Sequence, residues 1–134
     1  RAMGHELDSD VTPLEAGLDF AVAWERDFIG REALLRRRDA GANSRVATIL
    51  LDDTRAVPLG NEPVYAGGRI VGKTTSAGFG YRIGRPLALA HLDAAIGEGD
   101  PVEVDIARRM WAGHATLKPA FDPAGARMRR MQGA

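Results

Sequence analysis

Several groups of residues in this sequence have the types and spacing that chemistry requires. Gly67, four residues and then Gly72-Lys73-Thr74 fit the pattern G-x-x-x-x-G-K-[ST], in which loop amides cradle phosphates. Gly78, Gly80 and Gly84 come close to the dinucleotide fingerprint. "HELDS", residues 5 to 9, opens like a zinc-protease helix, and His91 and His114 are the other imidazoles. Asp52-Asp53 and Glu98/Asp100 place carboxylates close together, as general acid–base work would need.

Each pattern makes demands on the elements around it. A phosphate loop needs a buried strand before it and a helix after it, so that the helix N-terminus faces the anion. Here Lys73 is followed by "TTSAGFG", β-branched and glycine-rich, which does not start a helix. Arg69-Ile70-Val71, inside the supposed loop, is strand-like. Gly67-Gly68 therefore reads as a hairpin turn, and the remaining glycines as turns and close strand approaches. The dinucleotide fingerprint fails likewise: Gly84 comes one residue late, and Pro86 opens "PLALAHL", an apolar strand. Ser9 stands where the zinc motif needs its second histidine, and the three histidines read as structural, so no metal site is expected. The paired carboxylates fall in turns, whose chemistry accounts for them. No serine lies in a nucleophile-elbow pattern and cysteine is absent, so no catalytic residue is assigned.

The elements follow from periodicity. Thr12-Pro13 suits a cap before a short turn ending at Gly17, with Glu15 tying that turn down. "LDFAVAW" (18–24) alternates as a strand, and "GREALLRRRDAG" reads as a helix closed by Gly41, with Arg36 to Arg38 solvated in its last turn. Strands are expected at 45–51, on both sides of Gly67-Gly68, at 86–92, at 100–107 and at 110–118. In 100–107, Val102, Val104 and Ile106 face inward. The fold class is α+β, mainly β: a small antiparallel β-barrel of about six strands preceded by a strand-helix segment. The expected division is 1–43 for that segment, 44–120 for the barrel and 121–134 for an irregular tail.

Composition sets the remaining bounds. Eighteen basic and eighteen acidic residues cancel, which argues against a nucleic-acid partner. No apolar run reaches the ~20 residues of a membrane span, and "RAMGHELDSD" has no signal-like apolar region. No membrane partner is expected, and a cytoplasmic location is. The absence of cysteine excludes disulfides and thiolate metal sites.

Beyond these readings, the order of several segments resembles a known family. "TPLEAGLDFAV", "DFIGREAL", "RVATILLDD", "EPVYAGGRIVGKTTSAGFGYRIGRPLALAHL" and "GDPVEVDI" are similar to the C-terminal part of the glycine-cleavage T-protein (aminomethyltransferase) superfamily. The likeness spans roughly residues 3 to 125. Aminomethyltransferases typically have a Ser-Pro-containing turn where this chain has Gly78-Phe79-Gly80-Tyr81. That turn, and the ending "KPAFDPAGARMRR", are more similar to dimethylglycine and sarcosine dehydrogenases or oxidases.

The resemblance implies the C-terminal portion of a tetrahydrofolate-dependent one-carbon enzyme. Its cofactor would be tetrahydrofolate, with FAD confined to an upstream flavin module. Its partners would be the folate, the N-terminal folate-binding part and that flavin module. The family's catalytic Asp, its pterin-binding Glu and a folate-contacting Arg lie in a region preceding Met3-Gly4-His5-Glu6-Leu7 here, so the fragment alone is expected to be inactive. Phe20 matches an aromatic lying near the folate, with Phe for the usual Trp; the alternative for it is a core strand residue. Arg127 falls near a C-terminal position that approaches the folate in relatives, or is an exposed tail residue. Tyr81 either shapes the folate pocket or packs its turn. The alternatives for the whole are an aminomethyltransferase fragment working with a lipoyl carrier protein, and a non-catalytic folate-binding or interaction module.

Overall fold

The computed structural model of the protein describes residues 1–131. Six antiparallel strands form a closed barrel: β1 (Ser44–Leu51), β2 (Pro63–Ala66), β3 (Arg69–Gly80), β4 (Arg85–Asp93), β5 (Pro101–Ile106) and β6 (Arg109–Thr116). Around the barrel the order is β1-β4-β3-β2-β5-β6, and the pairing of β1 with β6 closes it. The helix α1 (Arg31–Ala40) precedes the barrel and a short helix, α2 (Ala126–Met131), follows it.

The strands form because their apolar residues repeat every second position. In β4, Pro86, Ala88, Ala90 and Leu92 are buried, while Leu87, Leu89 and His91 point outward. In β5 the buried set is Val102, Val104 and Ile106, as the alternation in the sequence required. Ile49, Leu51, Val64, Val71 and Leu92 fill the interior with these residues, and each large aliphatic side chain contributes about 1.5–3 kcal/mol by leaving water. Two glycines let neighbouring strands approach. A Cβ on Gly72 would lie 2.0 Å from the His91 carbonyl oxygen, and one on Gly113 would lie 2.5 Å from that of Leu50. Gly67 and Gly68, at φ 57° and 77°, make the tight turn between β2 and β3.

Two expectations are corrected. Residues 18–24 do not form a strand. They hold a 3-10 turn, Asp19–Ala21, followed by further turns. The physical reason is pairing: a strand needs an open sheet edge, and the closed barrel leaves none. The tail is not wholly irregular either. The Asp122 carboxylate accepts hydrogen bonds from the Ala126 and Arg127 amides at 2.9 and 3.0 Å, which starts α2 in a run of good helix formers. The remainder of the tail, 132–134, lies outside the described residues.

Candidate functional site

The N-terminal segment is fastened to the barrel through one carboxylate. Glu6 is only 2% exposed. It accepts hydrogen bonds from Thr75 Oγ1 at 2.6 Å, Ser76 Oγ at 2.5 Å and the Ala2 amide at 2.9 Å. Successive residues of a strand normally face opposite sides, yet Thr75 and Ser76 both reach Glu6. The register of β3 against β4 shifts between Thr74 and Ala77, and this bulge turns both hydroxyls the same way. Burial raises the Glu6 pKa, but the Ser76, Thr75 and Ala2 hydrogen bonds outweigh it and hold the carboxyl at about 2. His91 Nε2 donates to the Glu6 carbonyl at 3.1 Å, which leaves the buried Nδ1 without a partner.

A second carboxylate builds the following turn. Thr12 and Glu15 form a reciprocal cap: the Thr12 amide and hydroxyl donate to Glu15 Oε2 at 3.0 and 2.7 Å, and the Glu15 amide donates to Thr12 Oγ1 at 3.3 Å. The Glu15 carbonyl then accepts from the Val46 amide at 2.9 Å, tying the turn to β1. Other acids of chemical interest close turns. Arg55 grips Asp53 at 2.6 Å and, with its own amide, brings that half-buried carboxyl to about 2. Glu98 accepts from the Leu117 amide and the Thr116 hydroxyl. Lys73 lies within β3, paired across to Pro63 and His91, so nothing around it is a phosphate loop. Among the described residues no group of three or more metal-ligating side chains comes together.

Exposed aromatic and basic side chains make up the candidate ligand-facing surface. β3 runs on to Gly80, so Gly78-Phe79-Gly80 belongs to the strand and the turn itself is residues 81–84. The turn closes on the Gly80 carbonyl, which accepts from the Ile83 and Gly84 amides at 2.9 and 2.8 Å. Tyr81 stands at its start, 89% exposed and edge-on to Phe79 at 5.2 Å between ring centroids. The next residue, Arg82, lies over the Phe121 ring at 5.8 Å, and Arg127 lies over the same ring at 5.1 Å. Arg82 and Arg127 thus meet at Phe121, between the β3–β4 turn and the tail, while the Tyr81 ring meets Phe79. Sequence reasoning passed over Arg82 and Phe121; the signal for them was an aromatic in a proline-rich tail and an arginine in a glycine-rich turn.

Phe20 stands apart. It sits in the 3-10 turn at 85% exposure, so within this chain it is not a core residue, and no ring or cation contact among the described residues links it to Tyr81 or Arg127. Beyond it, α1 has no buried residue. It is held to the preceding turns by Arg38 over the Trp24 ring at 4.8 Å and by Arg31 Nε donating to the Trp24 carbonyl at 3.0 Å. Among the described residues no helix is long and apolar enough to cross a membrane.

Residues 45–122 match the model of the family described as the glycine cleavage T-protein C-terminal barrel domain. The chain is 33% identical to mitochondrial dimethylglycine dehydrogenase of Mus musculus over 135 residues, covering 97% of this chain and 16% of that protein. It is 42% identical to an aminomethyltransferase of Listeria monocytogenes serotype 4a over 106 residues, covering 77% of this chain and 29% of that protein. Its fold matches the crystal structure of glycine cleavage system aminomethyltransferase T from Bartonella henselae, with a TM-score of 0.77 at 23% identity, over 87% of this chain and 34% of that one. The chain therefore spans between 16% and 34% of the length of these relatives. With the closed barrel, the strand order and the match over 45–122, it belongs to the glycine cleavage T-protein C-terminal barrel domain family.

Proposed function

We propose that this chain is the C-terminal portion of a tetrahydrofolate-dependent one-carbon enzyme of the dimethylglycine/sarcosine dehydrogenase kind, and that it closes one side of the folate site. The observation that carries this reading is coverage. Similarity to the Mus musculus dimethylglycine dehydrogenase runs over 97% of the chain and to the 4-methylaminobutanoate oxidase of Paenarthrobacter nicotinovorans over 96%, segments flanking the barrel included, whereas it runs over 79% for the human and rat dimethylglycine dehydrogenases and over 77% for the aminomethyltransferase. The higher identity to the latter, 42%, favours the second reading, a glycine-cleavage aminomethyltransferase portion.

The residues present suit a folate in kind. Phe20 and Tyr81 offer exposed aromatic faces for a planar heterocycle, and Arg127 offers a guanidinium to a carboxylate. Bound tetrahydrofolate would supply the nitrogens that take up a one-carbon unit from an N-methyl amine. The contribution of this chain is to hold the cofactor in one orientation and keep water from its open side, so the catalytic gain lies in positioning. The exposed surface of the 3-10 turn and α1, with Phe20 and Ile29 facing outward, suits packing against the N-terminal folate-binding part. A flavin module upstream would carry out amine oxidation.

The isolated 134-residue chain should show weak or no saturable tetrahydrofolate binding by calorimetry, and sub-micromolar affinity would contradict a site completed by other modules. In the enzyme that carries this module, Phe20→Ala should weaken folate binding by about 0.5–1.5 kcal/mol while leaving amine oxidation nearly unchanged. Equal loss of both would assign Phe20 to structure instead.

A further inference from the structure

The connection between β1 and β2, residues 52–62, holds two large aliphatic side chains out of the barrel. Ala56 and Pro58 are buried, whereas Val57 and Leu59 are 66% and 82% exposed. Pro58 biases Val57 toward an extended backbone, and alternation in an extended chain turns Val57 and Leu59 to the same side. The turn that follows fixes Leu59 in place. The Leu59 and Gly60 amides donate to the Glu62 carboxylate at 2.6 and 2.9 Å, and that carboxylate also accepts from the Thr74 hydroxyl. The Asn61 amide donates to the Thr74 carbonyl at 2.9 Å, and a Cβ on Gly60 would lie 2.5 Å from the Thr75 carbonyl oxygen. Leu59 is therefore exposed by the structure of its turn, and an apolar side chain fixed before contact loses little further entropy on binding.

Beside Leu59 lies a hollow of about 130 Å³. Val57, Pro58, Phe79 and Pro86 line it, Thr54 is the one polar side chain in its wall, and no charged residue takes part. An apolar cavity of roughly 150 Å³ takes up a benzene-sized group, so this hollow has room for one leucine side chain. A knob and a hollow side by side on one face are what a two-fold axis requires, because the knob of each copy then enters the hollow of the other. Charge agrees with this. A two-fold axis sets each charge near its own counterpart, so a self-pairing surface has to be neutral within itself. Each charged group of the connection is already engaged: Arg55 on Asp53 at 2.6 Å, Asp52 against Arg85 at 3.6 Å, and Glu62 in its own turn.

We propose that the connection between β1 and β2 is a self-association surface, on which Leu59 of each of two copies of this chain enters the hollow beside Val57 and Phe79 of the other. The contact is small, so the association is weak, with a dissociation constant on the order of 0.1 mM. It stands independently of the folate reading and uses none of the residues assigned there.

The test is analytical ultracentrifugation of the 134-residue chain from about 10 μM to about 1 mM, with three variants beside the natural sequence. The natural chain should show a reversible monomer–dimer equilibrium. Leu59→Ser removes the knob and Thr54→Phe fills the hollow from its rim, and each should weaken association about tenfold or more. Both positions are exposed, so an unchanged melting temperature reports an intact barrel. An equimolar mixture of these two variants should associate several-fold more tightly than either alone, because Leu59 of the Thr54→Phe copy still meets an open hollow. That recovery separates docking of knob into hollow from a general loss of apolar surface. Phe20→Ser should leave the equilibrium unchanged. A monomer throughout the range, an undiminished dimer in Leu59→Ser or no recovery in the mixture would overturn the proposal. Loss of the dimer in Phe20→Ser would do so too, by assigning the contact to the exposed surface of 18–43.

Discussion

At the scale of single residues, Glu6 does the most. Its carboxylate gathers two hydroxyls and an amide while fully buried, so it is both the fastening of the N-terminal segment and its weak point. Glu6→Ala would leave the Thr75 and Ser76 hydroxyls and the Ala2 amide without their acceptor. It should cost about 2–4 kcal/mol, seen as a lower urea midpoint. The pH dependence has a definite sign. The folded pKa, about 2, lies below the ordinary 4.5, so this stabilisation is complete above pH 4.5 and is lost as pH falls toward 2. Urea midpoints measured between pH 5 and 2 should fall more steeply in the natural chain than in Glu6→Ala; equal slopes would mean that Glu6 is not the group responsible.

At the scale of elements, the glycines of the β2–β3 hairpin and of β3 have two separate jobs. Gly67 supplies a backbone conformation in open space, since a Cβ there meets nothing within 4 Å. Gly67→Ala should therefore cost only about 1–2 kcal/mol. Gly72 supplies room, because a Cβ would collide with the backbone of β4. Gly72→Ala should cost about 3 kcal/mol or more, or prevent folding, because two paired strands have to separate. Thermal melts of the two variants test the distinction, and similar losses would refute it. The letters that match a phosphate-loop pattern thus belong to a turn and a strand crossing. β3 also shows where pattern reading stops: its bulge at Thr75 and Ser76 has no letter signature, but it decides which side chains reach Glu6.

At the scale of the whole molecule, all six strands and the closing β1–β6 pair lie within 44–116. The barrel needs no outside strand to satisfy its edges. A chain of residues 44–120 should fold cooperatively, with a lower melting temperature than the full chain because the Glu6 and Glu15 fastenings are gone. Circular dichroism and a cooperative melt check this; a non-cooperative melt would show that 1–43 is part of the same folding unit rather than a covering segment.

Period-two alternation, paired glycines and turn residues were sufficient for the sequence alone to determine the strands, the hairpin and α1, because these depend on local geometry and on which residues leave water. The order of recognisable segments was sufficient for the family. Only the tertiary structure decided the fate of 18–24, whose alternation finds no open edge once the barrel closes on itself. Only it brought Arg82, Phe121 and Arg127 together, since that depends on where the tail crosses the barrel.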